Sequence, residues 1–340
     1  MAKSLSSVNN EVKEIAAHCE QLPERFIRKD VTESSPADIP VIDVSLLASS
    51  PLELDRLRSA IATWGCVQAI NHGIEGALLD KVREISRAFF CLSAEEKQKC
   101  LREEGDVEGY GNDIGLAEGQ TLDWTDRLFL TVRPQHKHRL QFWPQNPSNF
   151  KEVVDEYCSK MEVFNQVILK AMARSLNLEE NCFLDQYGTT SNSTILGRFN
   201  YYPPCPWADK VLGLKSHSDG SAMTYLLQDK EVEGLQVLKD GQWFRVPILP
   251  DALTINVGDQ IEIMSNGVFK TSVHRVMVDS KKQRMTVAMH CMPQTEKDIG
   301  PVDGLITDET PRLYKKVTFS LDFYFESYQK GLRSLDACKV

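Results

Sequence analysis

The sequence predicts an α+β fold, with helical segments in its first half, a β-rich stretch from Thr194 to about Pro293, and helix again at the end. Two observations carry this. Apolar residues recur at helical spacing in three early segments. After Thr194, short runs of strand formers alternate with turn residues, the pattern of an antiparallel sandwich or barrel.

Residues 1–37 are polar and expected to be ordered only in part, with Val12, Ile15 and Ala16 marking one short helix. Asp38–Val44 reads as a first strand. Leu54, Leu57, Ile61 and Trp64 follow helical spacing. Cys66–Ile70 is a strand candidate ending at Asn71-His-Gly73, and Leu78, Leu79, Val82, Ile85 and Phe89 mark a second amphipathic helix. The glycine-rich stretch 106–119 reads as an irregular loop. A long helix is expected from Phe150 to about Leu176, with Val153, Tyr157, Met161, Phe164, Ile168 and Met172 on one face and Asn149 as its N-cap. The strand candidates that follow are Met223–Leu227, Leu235–Leu238, Trp243–Val246, Leu253–Val257, Ile261–Ile263 and Val273–Val278. Asp240-Gly241, Gly258-Asp259 and Asn266-Gly267 supply turn chemistry between them. The C-terminal helix is expected to begin near Arg312–Tyr314 and Phe323–Phe325. No internal repeat or low-complexity segment interrupts the chain. The expected organisation is a partly ordered segment 1–37, an α/β region 38–190, and a β-core region 191–340 with the C-terminal helix. The two larger regions share one core, so the division near residue 190 is a convenience of sequence.

With 340 residues the chain can bury a large core. A hydrophobic content of 42% with 26% charged residues is ordinary for a globular protein. The net charge of -9, with no basic stripe, argues against nucleic acid and anionic membrane as partners. Nine cysteines at irregular spacing, without a Cys-x-x-Cys, read as a reducing compartment rather than a disulfide framework or zinc module. No apolar run is long enough to span a bilayer, and Met1–Ser7 lacks the apolar stretch of a secretory signal. The expectation is a cytoplasmic monomer.

The chemistry-bearing pattern is His217-Ser-Asp219 followed by His274, with Arg284-Met-Thr286 ten residues further on. A His-x-Asp triplet alone is commonplace. Here it abuts strand formers, and in an extended chain residues i and i+2 share a face, so both side chains can reach one ion. Two imidazoles and one carboxylate on one side of a metal leave the other side open, which suits non-heme Fe(II) and O2.

Many ordered blocks then carry a resemblance. They include Ile39-Pro-Val-Ile-Asp43, Trp64-Gly65, Asn71-His-Gly73, Phe89-Phe90, Glu108-Gly-Tyr-Gly111, Asp123-Trp124, Asn200-Tyr-Tyr-Pro-Pro-Cys-Pro206, Gly234-Leu-Gln-Val237 and Asn256-Val-Gly-Asp259. Over nearly its whole length the chain resembles the plant iron(II)/2-oxoglutarate-dependent dioxygenases, in the specialised-metabolism group with the alkaloid O-demethylases and flavonoid oxygenases. The resemblance implies a double-stranded β-helix (jelly roll) flanked by helices. It also implies Fe(II) as cofactor, 2-oxoglutarate and O2 as cosubstrates, and ascorbate as a reductant.

Carried over position by position, it implies His217, Asp219 and His274 as iron ligands. Arg284 and Thr286 would hold the distal carboxylate of 2-oxoglutarate with Tyr202, and Asn200 would lie near the metal-bound end. A guanidinium forks two hydrogen bonds to a carboxylate, which Lys cannot do. Thr286 stands where Ser is usual and keeps the hydroxyl. His72 reads as a packing and turn residue, and His18, His136 and His138 as surface residues. The resemblance also implies a substrate wall of Tyr110, Phe129, Arg198, Thr224, His290 and Phe325. Arg198 shares a strand face with Asn200 and either meets a polar substrate group or forms a structural salt bridge. His290 stands where an aromatic is usual and adds a polar edge to a flat ring. Ser216, in place of a common Pro, and Cys66-Val67, in place of a common Phe pair, read as packing changes.

The expected reaction is hydroxylation or O-demethylation of a small aromatic metabolite, a flavonoid or alkaloid, with release of succinate and CO2. The alternatives are an oxidase of the same fold drawing electrons from ascorbate or the substrate, and a non-catalytic jelly-roll binding protein.

Overall fold

The computed structural model describes residues 11–112, 120–188, 193–294, 297–318 and 320–340. Among these, the strands form an eight-stranded sheet, a five-stranded sheet and one short two-stranded pair. The eight-stranded sheet runs in the order Val41–Asp43, Cys66–Ile70, Leu253–Val257, Met223–Leu227, Arg284–Met292, Thr194–Tyr202, Asp126–Arg133 and Gly109–Asn112. The five-stranded sheet runs Ser35–Pro36, Gln242–Arg245, Leu235–Lys239, His274–Val276 and Leu214–His217. These two sheets are the walls of a jelly roll, and helices cover the larger one, so the fold is α+β.

The helices form where apolar spacing demands them. Pro51–Trp64 starts at Ser50, whose hydroxyl accepts the Glu53 N–H, with Pro51 as its first residue. It stops at Gly65, whose φ of 62° lies in the left-handed region that favours glycine. A Cβ there would lie 2.5 Å from the Lys270 carbonyl oxygen. Gly76–Phe90 and Phe150–Ser175 bury their apolar faces in the main core with Phe199, Tyr225 and Met289 of the eight-stranded sheet. In the strands Thr194–Tyr202 and Arg284–Met292 the pleat sorts side chains by face. Phe199, Tyr201, Val287 and Met289 join the helices, while Arg198, Asn200, Tyr202, Arg284, Thr286 and His290 point the other way.

Several expectations need correction. Ile261–Ile263 is not a strand but part of the helix Asp259–Met264. Its six residues are all buried, so the alternation of apolar and polar residues carries no information about exposure. Glu262 is tolerated there because it accepts the Thr271 N–H and the Tyr314 hydroxyl. The C-terminal helix spans only Leu321–Gln329, capped by the Ser320 hydroxyl. Arg312–Tyr314 is outside it, and Tyr314 instead bridges to Lys339. Asn149 occupies the N-cap position of the long helix, but its side chain makes no capping bond. In the stretch 106–119, Gly109–Asn112 is a strand paired with Asp126–Phe129, and residues 113–119 lie outside the described part. His138 is only partly exposed. Its ring stacks on Trp143 at 4.7 Å and its Nε2 donates to the Val132 carbonyl. All nine cysteines are free thiols.

Candidate metal centre and its surroundings

His217 ends one strand and His274 opens the next, and the two face each other in register across the five-stranded sheet. Their ring centroids are 4.3 Å apart. Asp219 lies just beyond the strand end, and its Oδ1 is 3.6 Å from His217 Nε2 and 3.8 Å from His274 Nε2. The ligating atoms of all three lie within 4.8 Å of one another, close enough to share one ion. The rings are held from behind. His217 Nδ1 is 2.7 Å from the Lys215 carbonyl and His274 Nδ1 is 3.0 Å from the Ser272 carbonyl. A carbonyl only accepts, so each Nδ1 carries the proton, and in a neutral ring Nε2 keeps its lone pair for the centre.

The electrostatics agree with a cation site. Burial and the neighbouring His217 push His274 down to about 4, so its ring is neutral near pH 7. Burial would raise the Asp219 carboxyl, but His274, His217 and His290 outweigh it and hold the group well below the usual carboxylate range. Its Oδ2 is buried with no hydrogen-bond partner among the described residues. A buried carboxylate oxygen without a partner is costly, and a divalent cation bound by these three groups removes that cost.

Arg284 is 1% exposed and faces Tyr202 across the strand pair, with its guanidinium 5.3 Å from that ring's centroid. Its Nε donates to the Val232 carbonyl (3.1 Å) and its Nη2 to Gln228 Oε1 (3.4 Å), while Nη1 is buried without a partner among the described residues. Thr286 pairs with Asn200, whose Nδ2 donates to the Thr286 hydroxyl (3.2 Å). Arg198 Nε donates to Asn200 Oδ1 (2.8 Å). The residues present therefore fit a dicarboxylic keto acid, with a buried cation and hydroxyls at one end and a three-ligand metal at the other.

A cavity beside His217 and Asp219 is lined by Phe129, Arg198, Ser221, His290, Met292, Tyr324, Phe325 and Tyr328. Its free volume is about 30 Å³, room for a water or two. Thr224 lies behind it. The Thr224 hydroxyl is 3.0 Å from His290 Nδ1 and 2.9 Å from the Ser221 hydroxyl. Burial pushes His290 down to about 4. Of the residues read from sequence as substrate wall, the structure brings Phe129, Arg198, His290 and Phe325 to the cavity. Tyr110 does not reach it. Its ring packs against Phe89 and Phe90 in the main core, because Gly109 and Gly111 hold the opposite face of that strand. His72 is away from the centre, with Nε2 2.8 Å from the Asp251 carbonyl oxygen.

Sequence reasoning missed Ser221, Met292, Tyr324 and Tyr328. The signal for the tyrosines was present, since Tyr324 and Tyr328 are i and i+4 in the same aromatic run as Phe325. Tyr324 packs on Gly220, where a Cβ would lie 2.2 Å from its ring, and its hydroxyl donates to the Ser218 carbonyl (2.8 Å).

Two family models match the chain. One, described as the 2OG-Fe(II) oxygenase superfamily, covers residues 196–293. The other, described as the non-haem dioxygenase in morphine synthesis N-terminal, covers 39–147. Codeine O-demethylase of Papaver somniferum is 41% identical over 283 residues, which is 82% of this chain and 78% of that protein. Oxoglutarate-dependent flavonoid 7-O-demethylase 1 of Ocimum basilicum is 37% identical over 322 residues, covering 92% and 84%. The crystal structure of JOX2 in complex with 2OG, Fe and JA has a TM-score of 0.89 and 33% identity, covering 97% of this chain and 98% of that one. With this likeness along its length and a His-Asp-His cluster built to hold a cation, the chain belongs to the 2OG-Fe(II) oxygenase superfamily and is a dioxygenase that uses Fe(II), 2-oxoglutarate and O2.

Proposed function

We propose that this enzyme hydroxylates or O-demethylates a small aromatic plant metabolite, a flavonoid or an alkaloid. The observation that carries the reading is the aromatic wall of Phe129 and Phe325, 5.9 Å apart, in the same cavity as His217 and Asp219. Flat ligands gain most from such walls. Relatives named as codeine and flavonoid demethylases support the same substrate class.

The proposed roles follow from placement. His217, Asp219 and His274 hold Fe(II) from one side. Arg284 Nη1, with Tyr202 and Thr286, takes the distal carboxylate of 2-oxoglutarate, and Asn200 steadies the end nearer the metal. With Fe(II) bound there, O2 would supply the oxidising power, one oxygen atom going to succinate as 2-oxoglutarate loses CO2 and the other to a substrate C–H bond. Arg198 and His290 orient the polar edge of the substrate, and Phe129, Met292 and Phe325 clamp its flat face and exclude water. When the oxidised carbon is a methoxy carbon, the hydroxylated product is a hemiacetal that collapses to a phenol and formaldehyde. One placement of residues thus serves both outcomes, and the pose of the substrate decides between them.

The test is a panel of methoxylated and unmethoxylated flavonoids and alkaloids, incubated aerobically with Fe(II), 2-oxoglutarate and ascorbate. Succinate matched by a hydroxylated product or by formaldehyde is expected. Aromatic compounds that leave succinate release at its background rate, while a non-aromatic acid stimulates it, would reject the reading.

A further inference from the structure

The C-terminal helix Leu321–Gln329 walls the cavity through Phe325, and the same helix touches the metal-ligand segment at two points. Tyr324 binds the Ser218 carbonyl. One turn later the Tyr328 ring meets His217 edge-on at 5.2 Å, and its hydroxyl donates to Asp123 Oδ2 (3.0 Å). Asp123 is fully buried. Its Oδ1 accepts from the backbone N–H of Lys215 (2.9 Å) and from Arg28 Nη2 (2.9 Å). The carbonyl of that same Lys215 receives the His217 Nδ1–H. Lys215 Nζ lies 4.1 Å above the Tyr328 ring and 3.8 Å from Asp123 Oδ2. A single carboxylate therefore joins the N-terminal segment, the strand of the first metal ligand and the helix over the cavity.

We propose that Asp123 is a positioning residue for the metal centre: through Lys215 it fixes the His217 ring, and through Tyr328 it ties that ring's placement to the seating of the C-terminal helix. The small cavity, with about 30 Å³ free, gives the tie a purpose. A drug-sized ligand needs roughly 300 Å³ or more, so an aromatic substrate enters only when part of the wall shifts. A shift of this helix moves Tyr328 and, through Asp123 and Lys215, loosens or re-aims the first metal ligand. The arrival of substrate is thereby felt at the first metal ligand through the helix as well as through the cavity that both line.

The inference rests on the three-ligand metal reading, and the experiment separates the two. Affinity for Fe(II), and for Co(II) as a spectroscopic probe, is measured anaerobically on the full chain for wild type, Asp123→Asn, Tyr328→Phe and the double variant. Ile42→Val, on the edge strand Val41–Asp43, serves as a control for stability alone. Loss of a group that orients a ligand typically lowers metal affinity about 10–100-fold. Asp123→Asn is expected to fall in that range. Tyr328→Phe keeps the ring on His217 and loses only the hydroxyl, so a smaller loss and an altered Co(II) visible spectrum are expected. The double variant should bind no worse than Asp123→Asn, because both act along one chain of contacts. Variants that melt earlier but bind metal within two-fold of wild type, with unchanged spectra, would overturn the proposal, and Tyr328→Phe decides it if Asp123→Asn fails to fold. A wild type that binds no Fe(II) would instead overturn the metal reading itself.

Discussion

Arg284 shows how much a single residue can carry. Burial lowers its pKa, opposed by Tyr202 and Asp229, yet a guanidinium stays charged across the working range. A full charge with one unpartnered nitrogen is poised for an anion. A hydrogen bond to a charged group contributes about 1.5–3 kcal/mol, so Arg284→Ala should weaken 2-oxoglutarate binding by roughly 10- to 150-fold while Fe(II) affinity stays put. Arg284→Lys should recover only part, since an ammonium cannot fork. Titrating the Fe(II) protein with 2-oxoglutarate checks both, and an unchanged apparent Kd in the alanine variant would remove Arg284 from the cosubstrate site. The placement of such residues is legible in the sequence where it is set locally. Arg284 and Thr286 are two apart within one strand, where such spacing gives a shared face, while Asp219 follows His217 by two but lies just past the strand end. Tyr110 packs on Phe89 and Phe90 instead of at the cavity, since which face of a short edge strand looks inward depends on its partners. Asp123 belongs to the Asp123-Trp124 block, but nothing in one dimension says that Arg28, Lys215 and Tyr328 converge on it.

At the scale of elements, apolar period identified the long helices, and it fell silent where burial is complete, as in Asp259–Met264. The N-terminal helix Val12–His18 shows what docking an element requires. Val12 and Ile15 enter a second apolar cluster with Trp124, Tyr202 and Leu214. The backbone N–H groups of Val12 and Lys13 donate to the two oxygens of Asp126 (2.9 and 3.2 Å). Burial pushes the Asp126 carboxyl up to about 7, against the pull of those two N–H groups. The folded protein then holds this proton where the unfolded chain, titrating near 4, has lost it. The folded state binds the extra proton between those values, so stability falls as pH rises from about 4 through 7. Hydrogen exchange of residues 12–18 should accelerate between pH 5.5 and pH 8 beyond the intrinsic chemical rate, and Asp126→Asn, neutral throughout, should flatten that excess. An excess equally steep in the asparagine variant would place the pH dependence elsewhere.

For the molecule as a whole, the sheets decide how its parts respond together. Strands 41–43, 66–70, 109–112 and 126–133 lie in the same eight-stranded sheet as strands 194–202, 223–227, 253–257 and 284–292. Pairing such as Leu253 with Ala69 and Phe199 with Leu128 crosses residue 190 repeatedly. His217 and His274 stand on the smaller sheet, with Asp219 just past the end of its edge strand Leu214–His217, which is braced by the helix at the end of the chain. Metal held there stabilises a structure that both halves build, so its binding energy should appear in one transition rather than in a local one. At a metal concentration about 100 times Kd the gain is about 2.7 kcal/mol. For a chain of 340 residues that amounts to several degrees in Tm. Calorimetry with Fe(II) under nitrogen, or with Mn(II) in air, should raise the whole transition, and a chelator should return it to the metal-free value. Asp219→Ala, which removes the carboxylate from between the two rings, should melt at the same temperature with or without metal. An equal rise in that variant would mean that the stabilising ion sits somewhere other than between His217 and His274.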